Sequence, residues 1–166
     1  MANKAMRLVR ELALWLLIGV AVSVAVDYFR QPALPQNFSA TTLHTLDGEP
    51  VDLVAMSAER PLLVYVWATW CGVCRYTTPS VTALAEQGGN VMSVALRSGD
   101  NATLEKWLAK KKMALPTVND ASGDLARQWD VQVTPTLVVI SHGKVKSITT
   151  GWTSSWGIRL RLWLAS

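Results

Sequence analysis

The sequence predicts an α/β domain, a mixed central sheet with helices on both faces, behind an apolar N-terminal helix. Three observations carry the prediction. From Leu62 to Leu164, strand-length apolar runs alternate with helix-length segments in the order β-α-β-α-(β)-α-β-β-α, and two further strand signals precede them. One run, Leu62-Leu63-Val64-Tyr65-Val66-Trp67, is rich in valine and aromatics and leads through Cys71-Gly72-Val73-Cys74 into a segment that can be helical. The first 29 residues differ in composition from everything after them.

In a chain of 166 residues, half hydrophobic and only 17% charged, that leader accounts for much of the low charge. Leu12 to Val26 is a run of fifteen uncharged residues, preceded by Lys4, Arg7 and Arg10. Fifteen helical residues reach about 22 Å, and adding Leu8, Val9, Tyr28 and Phe29 approaches the ~30 Å of a bilayer core. The basic side predicts a cytoplasmic N-terminus and an exported remainder. A cleaved signal peptide is the competing reading, because Ser23-Val24-Ala25 has the small-x-small pattern; both readings export the cysteines. The expected organisation is an anchor over 1–29, a Pro32- and Pro35-containing tether over 30–37, and a domain over 38–166.

Within the domain, Phe38 to Leu46 alternates loosely up to Asp47-Gly48, a hairpin signal, and Val51 to Leu53 is expected to pair back. The central strand at Leu62 is followed by a helix from about Gly72 to Glu86, which Pro79 should kink and Gly88-Gly89-Asn90 should stop. Val91 to Leu96 reads as a second buried strand, and Asp100 or Asn101 caps a helix running to about Lys112. Lys110-Lys111-Lys112 in its last turn is read as favourable dipole placement on a solvated face, with no nucleic-acid partner implied. Pro116 to Val118 is a short strand, and Ser122 or Gly123 opens a brief helix through about Trp129. Strands Thr136–Ile140 and Val145–Thr150 flank a His142-Gly143 turn. The last helix, Ser154 to Leu164, is capped by Ser154 or Ser155 and is expected to face the core with Trp156, Leu160, Trp163 and Leu164.

The two cysteines are the only ones in the chain. A gap of two residues lets them close a small ring. At a helix start, free N–H groups and the helix dipole stabilise the first as a thiolate, the form that attacks disulfides. The second, a turn on and more enclosed, then resolves the mixed disulfide. Cys71 is therefore assigned as nucleophile and Cys74 as resolving thiol. As a staple the pair is poor, because so small a loop saves little chain entropy. As a zinc site it lacks a second ligand pair, with His44 and His142 standing alone.

Trp-Ala-Thr-Trp-Cys-Gly-Val-Cys (67–74), with Pro79 five residues on and Val133-Thr134-Pro135-Thr136 before an apolar strand, resembles the active-site stretches of the thioredoxin superfamily. The resemblance covers about residues 38 to 150 and implies a thioredoxin-like fold with Pro135 cis beside the cysteines. The anchor, the tether and Leu46-Asp47-Gly48 look like the membrane-tethered TlpA-like branch, and the whole chain is similar to the suppressor-of-copper-sensitivity type from Gram-negative bacteria. That resemblance implies a single-pass inner-membrane protein with its domain in the periplasm, reducing protein disulfides with electrons from a membrane reductase of the DsbD type. It also implies a link to copper stress. No cofactor beyond the redox-active pair and no metal is expected. A disulfide-forming oxidase and a copper(I) chaperone or sensor are the alternatives.

Around the pair, Trp70 is expected to shield one side of the nucleophile, while Gly72 and Val73 set the local electrostatics. Val73 supplies no charge or proton donor, which argues for a weaker oxidant than relatives with histidine there. Thr134 beside Pro135 is expected to present backbone to an incoming peptide. Two positions depart from the family pattern: Tyr65 stands where many thioredoxins place a buried acid, and Thr77 where several TlpA-like reductases place glutamate. The proton acceptor for Cys74 is left to water, to networks of Tyr65 or Thr77, or to a substrate group.

Overall fold

The computed structural model describes residues 2–29 and 42–166, with side chains in the first stretch at positions 6–19, 21 and 22. Contacts divide the chain into two units, Met1–Gln31 and Pro32–Ser166. The first is one helix, α1 (Ala2–Phe29), and its described side chains are exposed. Among the described residues no helix is long and apolar enough to cross a membrane. The transmembrane helix expected over Leu12–Val26 is thus not found there: Arg7, Arg10 and Glu11 interrupt the described run at one end, and positions 20 and 23–26 lie outside the described side chains.

The second unit has the predicted α/β layout. A short hairpin of β1 (Leu43–His44) and β2 (Pro50–Val51) precedes α2 (Leu53–Met56), β3 (Leu62–Trp67), α3 (Cys74–Glu86) and β4 (Val91–Leu96). Then come α4 (Asn101–Lys111), β5 (Thr117–Asp120), α5 (Asp124–Gln128), β6 (Thr136–Ser141), β7 (Lys144–Thr150) and α6 (Ser155–Leu164). The main sheet has the order β5-β4-β3-β6-β7. Strand β3 runs parallel to β4, β4 parallel to β5, and β6 lies antiparallel to both β3 and β7.

Every residue of β3 is buried, because it sits mid-sheet with side chains alternating between two covered faces. Leu62, Val64 and Val66 join one core with Leu53, Leu125 and Trp129, whereas Leu63, Tyr65 and Trp67 join the other with Val81, Leu104 and Ile158. That alternation puts Tyr65 and Trp67 on the α3 side, the side of Cys74.

The hairpin is shorter than expected. Its strands are two residues each, in register Leu43↔Val51, and positions 38–41 of the expected first strand lie outside the described residues. The return strand stops after Val51 because the Asp52 carboxylate accepts the N–H groups of Val54 and Ala55 at 2.9 and 3.0 Å, capping α2 and drawing Leu53 into a helix. At a cap the sequence did predict, Asp100 accepts from the Thr103 N–H at 2.8 Å and starts α4, which ends on Lys112 in the left-handed region at φ 54°.

The orientation of α6 corrects the sequence reading. Ser154 caps it as expected, accepting from the Gly157 N–H at 3.2 Å. The buried contacts, however, are made by Ile158 and Ala165 with Leu162 partly covered, while Trp156 and Trp163 are 83% and 71% exposed and Leu160 and Leu164 are exposed as well. Both arcs of the helix carry apolar residues, and the smaller set is the one that faces the sheet. Urea unfolding of the oxidised protein should therefore show Ile158→Ala losing about 2–5 kcal/mol, with Trp156→Ala and Trp163→Ala within about 0.5 kcal/mol of the parent. A Trp163→Ala cost equal to that of Ile158→Ala would reverse the assigned face.

Candidate active site

The central strand delivers the cysteines. After Trp67 the chain leaves the sheet, and Cys71 N–H bonds back to the Ala68 carbonyl at 3.2 Å in a turn ahead of α3. The helix begins at Cys74, two residues later than expected, so Cys71 lies just outside its N-terminus. Cys71 and Cys74 are joined as a disulfide with Cα atoms 5.3 Å apart. Cys71 is half-buried, whereas Cys74 is only 2% exposed. The Cys74 N–H donates to Cys71 Sγ at 3.1 Å, which places one of the helix's unsatisfied donors on the more accessible sulfur. Gly72 and Val73 between them are exposed and uncharged, and α3 continues through Pro79.

The loop after β4 holds the approach to the pair, a support that sequence reasoning missed. Trp70 is 62% exposed, and its indole Nε1–H donates to the Arg97 carbonyl at 3.1 Å, which pins the ring against that loop. Ser98 Oγ accepts the Thr69 N–H at 3.0 Å and donates to the Leu96 carbonyl at 3.0 Å. No motif signals these residues; the parallel pairing of β3 with β4, Trp67 opposite Ala95, brings them alongside.

On the other flank the Thr134–Pro135 bond is cis, as expected. The turn is braced by Thr136 Oγ1 donating to the Val133 carbonyl and by Gly151 N–H donating to the Pro135 carbonyl, each at 2.8 Å. Val66 pairs with Thr136 in the sheet, so Pro135 arrives at the end of β3 from which the cysteine loop departs. Pro135 is buried, Thr134 half-buried and Val133 exposed.

Beneath the disulfide, Tyr65 is fully buried. Its hydroxyl donates to the Cys74 carbonyl at 3.4 Å and shares a 2.8 Å hydrogen bond with Thr78 Oγ1. Thr78, not Thr77, is thus the tyrosine's partner, and the buried Thr77 hydroxyl has no hydrogen bond. An open cleft of about 720 Å³ runs from the cysteines between α3 and α4, lined by Trp67, Trp107 and Thr82 and including Glu86 and Lys111. Glu86 is twelve residues along α3 from Cys74, about 18 Å at the helical rise, too far to take the thiol proton directly.

Burial pushes the Tyr65 phenol up to about 12, against a smaller lowering by its bond to Thr78. The neutral phenol is favoured by folding, so its stabilisation is complete below pH 10 and lost as pH rises from 10 to about 12, the range in which the unfolded chain ionises first. Denaturant titrations of the oxidised protein should show that fall, up to roughly 3 kcal/mol. Tyr65→Phe should remove this component of the slope; an unchanged slope would place its origin elsewhere.

A protein-family model described as Redoxin matches residues 32–154. A thioredoxin-like protein of Haemophilus influenzae is 43% identical over 154 residues, covering 93% of this chain and 92% of that protein. The thiol:disulfide interchange protein DsbE of Pseudomonas fluorescens biotype C is 31% identical over 151 residues, covering 87% and 84%. Among solved structures, the exposed lipoprotein thioredoxin Etrx1 of Streptococcus pneumoniae aligns with a TM-score of 0.65 at 23% identity, over 75% of this chain and 98% of that one. A secreted disulfide oxidoreductase of Mycobacterium tuberculosis aligns with a TM-score of 0.64 at 21% identity, over 78% and 99%. These two carry the fold alone. With its Cys71–Cys74 pair at disulfide distance on a thioredoxin-like fold, the chain belongs to the redoxin family as a thiol–disulfide oxidoreductase.

Proposed function

We propose that the protein is a membrane-anchored reductase of protein disulfides on the extracytoplasmic side of the inner membrane. The observation that carries the reading is the asymmetry of the pair: a half-buried Cys71 sulfur receiving a helix N-terminal N–H, and a buried Cys74 behind it. In the reduced protein, the Cys71 thiolate attacks one sulfur of a substrate disulfide. A mixed disulfide forms, and the substrate's other sulfur leaves as thiolate. Cys74 then loses its proton and attacks Cys71 Sγ, closing the Cys71–Cys74 disulfide and releasing the second substrate sulfur. Two electrons pass from the dithiol to the substrate, and a donor dithiol must restore them.

Trp70, Gly72 and Val73 form the exposed surface around the nucleophile, and Thr134 with cis-Pro135 offers an edge on which an extended peptide can lie beside it. The acceptor of the Cys74 proton is water or a substrate group. Tyr65 holds its own proton too tightly to serve as a base at neutral pH, and the Thr77 hydroxyl makes no network.

The anchor is the Leu12–Val26 run with Lys4, Arg7 and Arg10 on its cytoplasmic side. A relative described as a DsbE thiol:disulfide interchange protein supports an extracytoplasmic domain. Such a compartment oxidises unattended thiols, so the donor is proposed to be a membrane reductase of the DsbD type. The resemblance to the suppressor-of-copper-sensitivity type supports a role in copper stress.

Cys74→Ala should accumulate mixed disulfides through Cys71 on non-reducing gels; trapping with Cys71→Ala alone would exchange the two roles. The direction of electron flow is read by acid quench and thiol alkylation in growing cells. A largely reduced pair is expected, and a pair that stays oxidised while a DsbD-type reductase is active would make the protein an oxidase.

A further inference from the structure

We propose that the outward face of α6 docks on an anionic lipid surface. At about 100° per residue, Arg159, Trp163, Trp156, Leu160 and Leu164 fall within an arc of roughly 140°, opposite the arc of Ile158, Leu162 and Ala165 that meets the core. The four apolar members of that outer arc are all exposed. A soluble surface rarely carries two such tryptophans and two leucines side by side on one helix without a surface to cover them.

The charge of the stretch of chain that carries this face points to what covers it. From Val131 to Ser166 there is no Asp or Glu, and the cations Lys144, Lys146, Arg159 and Arg161 fall in that stretch. The chain has 16 Lys and Arg against 12 Asp and Glu, so the other 130 residues are balanced and the whole formal net charge of +4 sits here. Lys144, Lys146 and Arg159 are exposed. Arg159 bonds the Gln87 side-chain oxygen and Arg161 the Gly157 carbonyl, both neutral acceptors. A second copy of α6 is a poor occupant, because apposed faces would bring like arginines together with no carboxylate between them. A bilayer surface with anionic headgroups satisfies both features: indoles and leucines enter the boundary between headgroup and acyl chain, and the cations meet phosphate.

The proposal stands on the α6 face and does not require the N-terminal anchor.

The test uses the full chain carrying 5-fluorotryptophan, in nanodiscs of mixed phosphatidylglycerol and phosphatidylcholine with a nitroxide-bearing lipid. Fluorine resonances are assigned by single Trp→Phe variants. Those of Trp156 and Trp163 should broaden beyond detection, while those of the buried Trp67 and Trp129 stay sharp. The broadening should be lost in Arg159→Gln/Arg161→Gln and at high salt. Trp15 reports the anchor separately: if it broadens while Trp156 and Trp163 stay sharp, docking is overturned and the anchor stands. If Trp15 stays sharp while Trp156 and Trp163 broaden, the anchor fails and docking holds. Equal broadening in phosphatidylcholine alone overturns the role of anionic lipid. Lipid-independent shifts of Trp156 and Trp163 that grow with protein concentration overturn the proposal in favour of contact between copies.

Discussion

Burial of β3 on both faces is the constraint on which the rest of this structure depends. A strand with no exposed residue must lie mid-sheet with helices above and below. Its C-terminal end then opens at the rim, where a turn and a helix N-terminus follow. Cys71 falls in that turn and Cys74 on the first helical position, which is why the Cys74 N–H reaches Cys71 Sγ at 3.1 Å. The neighbours of β3 complete the site by register. Strand β4 carries the Arg97–Ser98 loop to Trp70 and Thr69, and β6 carries the cis-proline turn to the other side.

Among the described residues the interior behind the pair is apolar and hydroxylic, and Glu86 lines the adjoining cleft. Tyr65 fills the place where an acid would sit and turns its hydroxyl to the Cys74 carbonyl and Thr78. It therefore fixes the start of α3 mechanically, and the route proposed for the thiol proton runs to solvent or substrate. A buried carboxylate there would itself need partners; the phenol stays neutral and is satisfied by its neighbours. The Thr77 hydroxyl, buried without a partner, is the unresolved cost of that arrangement.

Two departures from the sequence reading share a physical origin, competition between near-equal local choices that distant contacts settle. In α6, Ile158, Leu162 and Ala165 form one apolar stripe and Trp156, Leu160, Trp163 and Leu164 another. Periodicity marks a helix but does not say which stripe meets the sheet. The start of α6 lies beside α3, where the Ser80 and Ser155 hydroxyls are 2.9 Å apart, and Ile158, Leu162 and Ala165 are the residues that meet the core. In the hairpin, Val51 to Leu53 is apolar enough for a strand, but Asp52 gains two backbone N–H groups by capping a helix and the strand stops.

The sequence by itself determined the α/β class, the order of the main strands and helices and the Cys71–Cys74 pair, while the cis turn at Pro135 came from the family resemblance. The first three rest on local signals: apolar period, capping side chains and a two-residue cysteine spacing. Tertiary structure alone decided the partners that come from far along the chain. The Arg97 carbonyl under Trp70, Thr78 rather than Thr77 on Tyr65, and the outward face of α6 follow from strand register and helix packing. A linear pattern cannot encode those relations, because each depends on which element lies beside which.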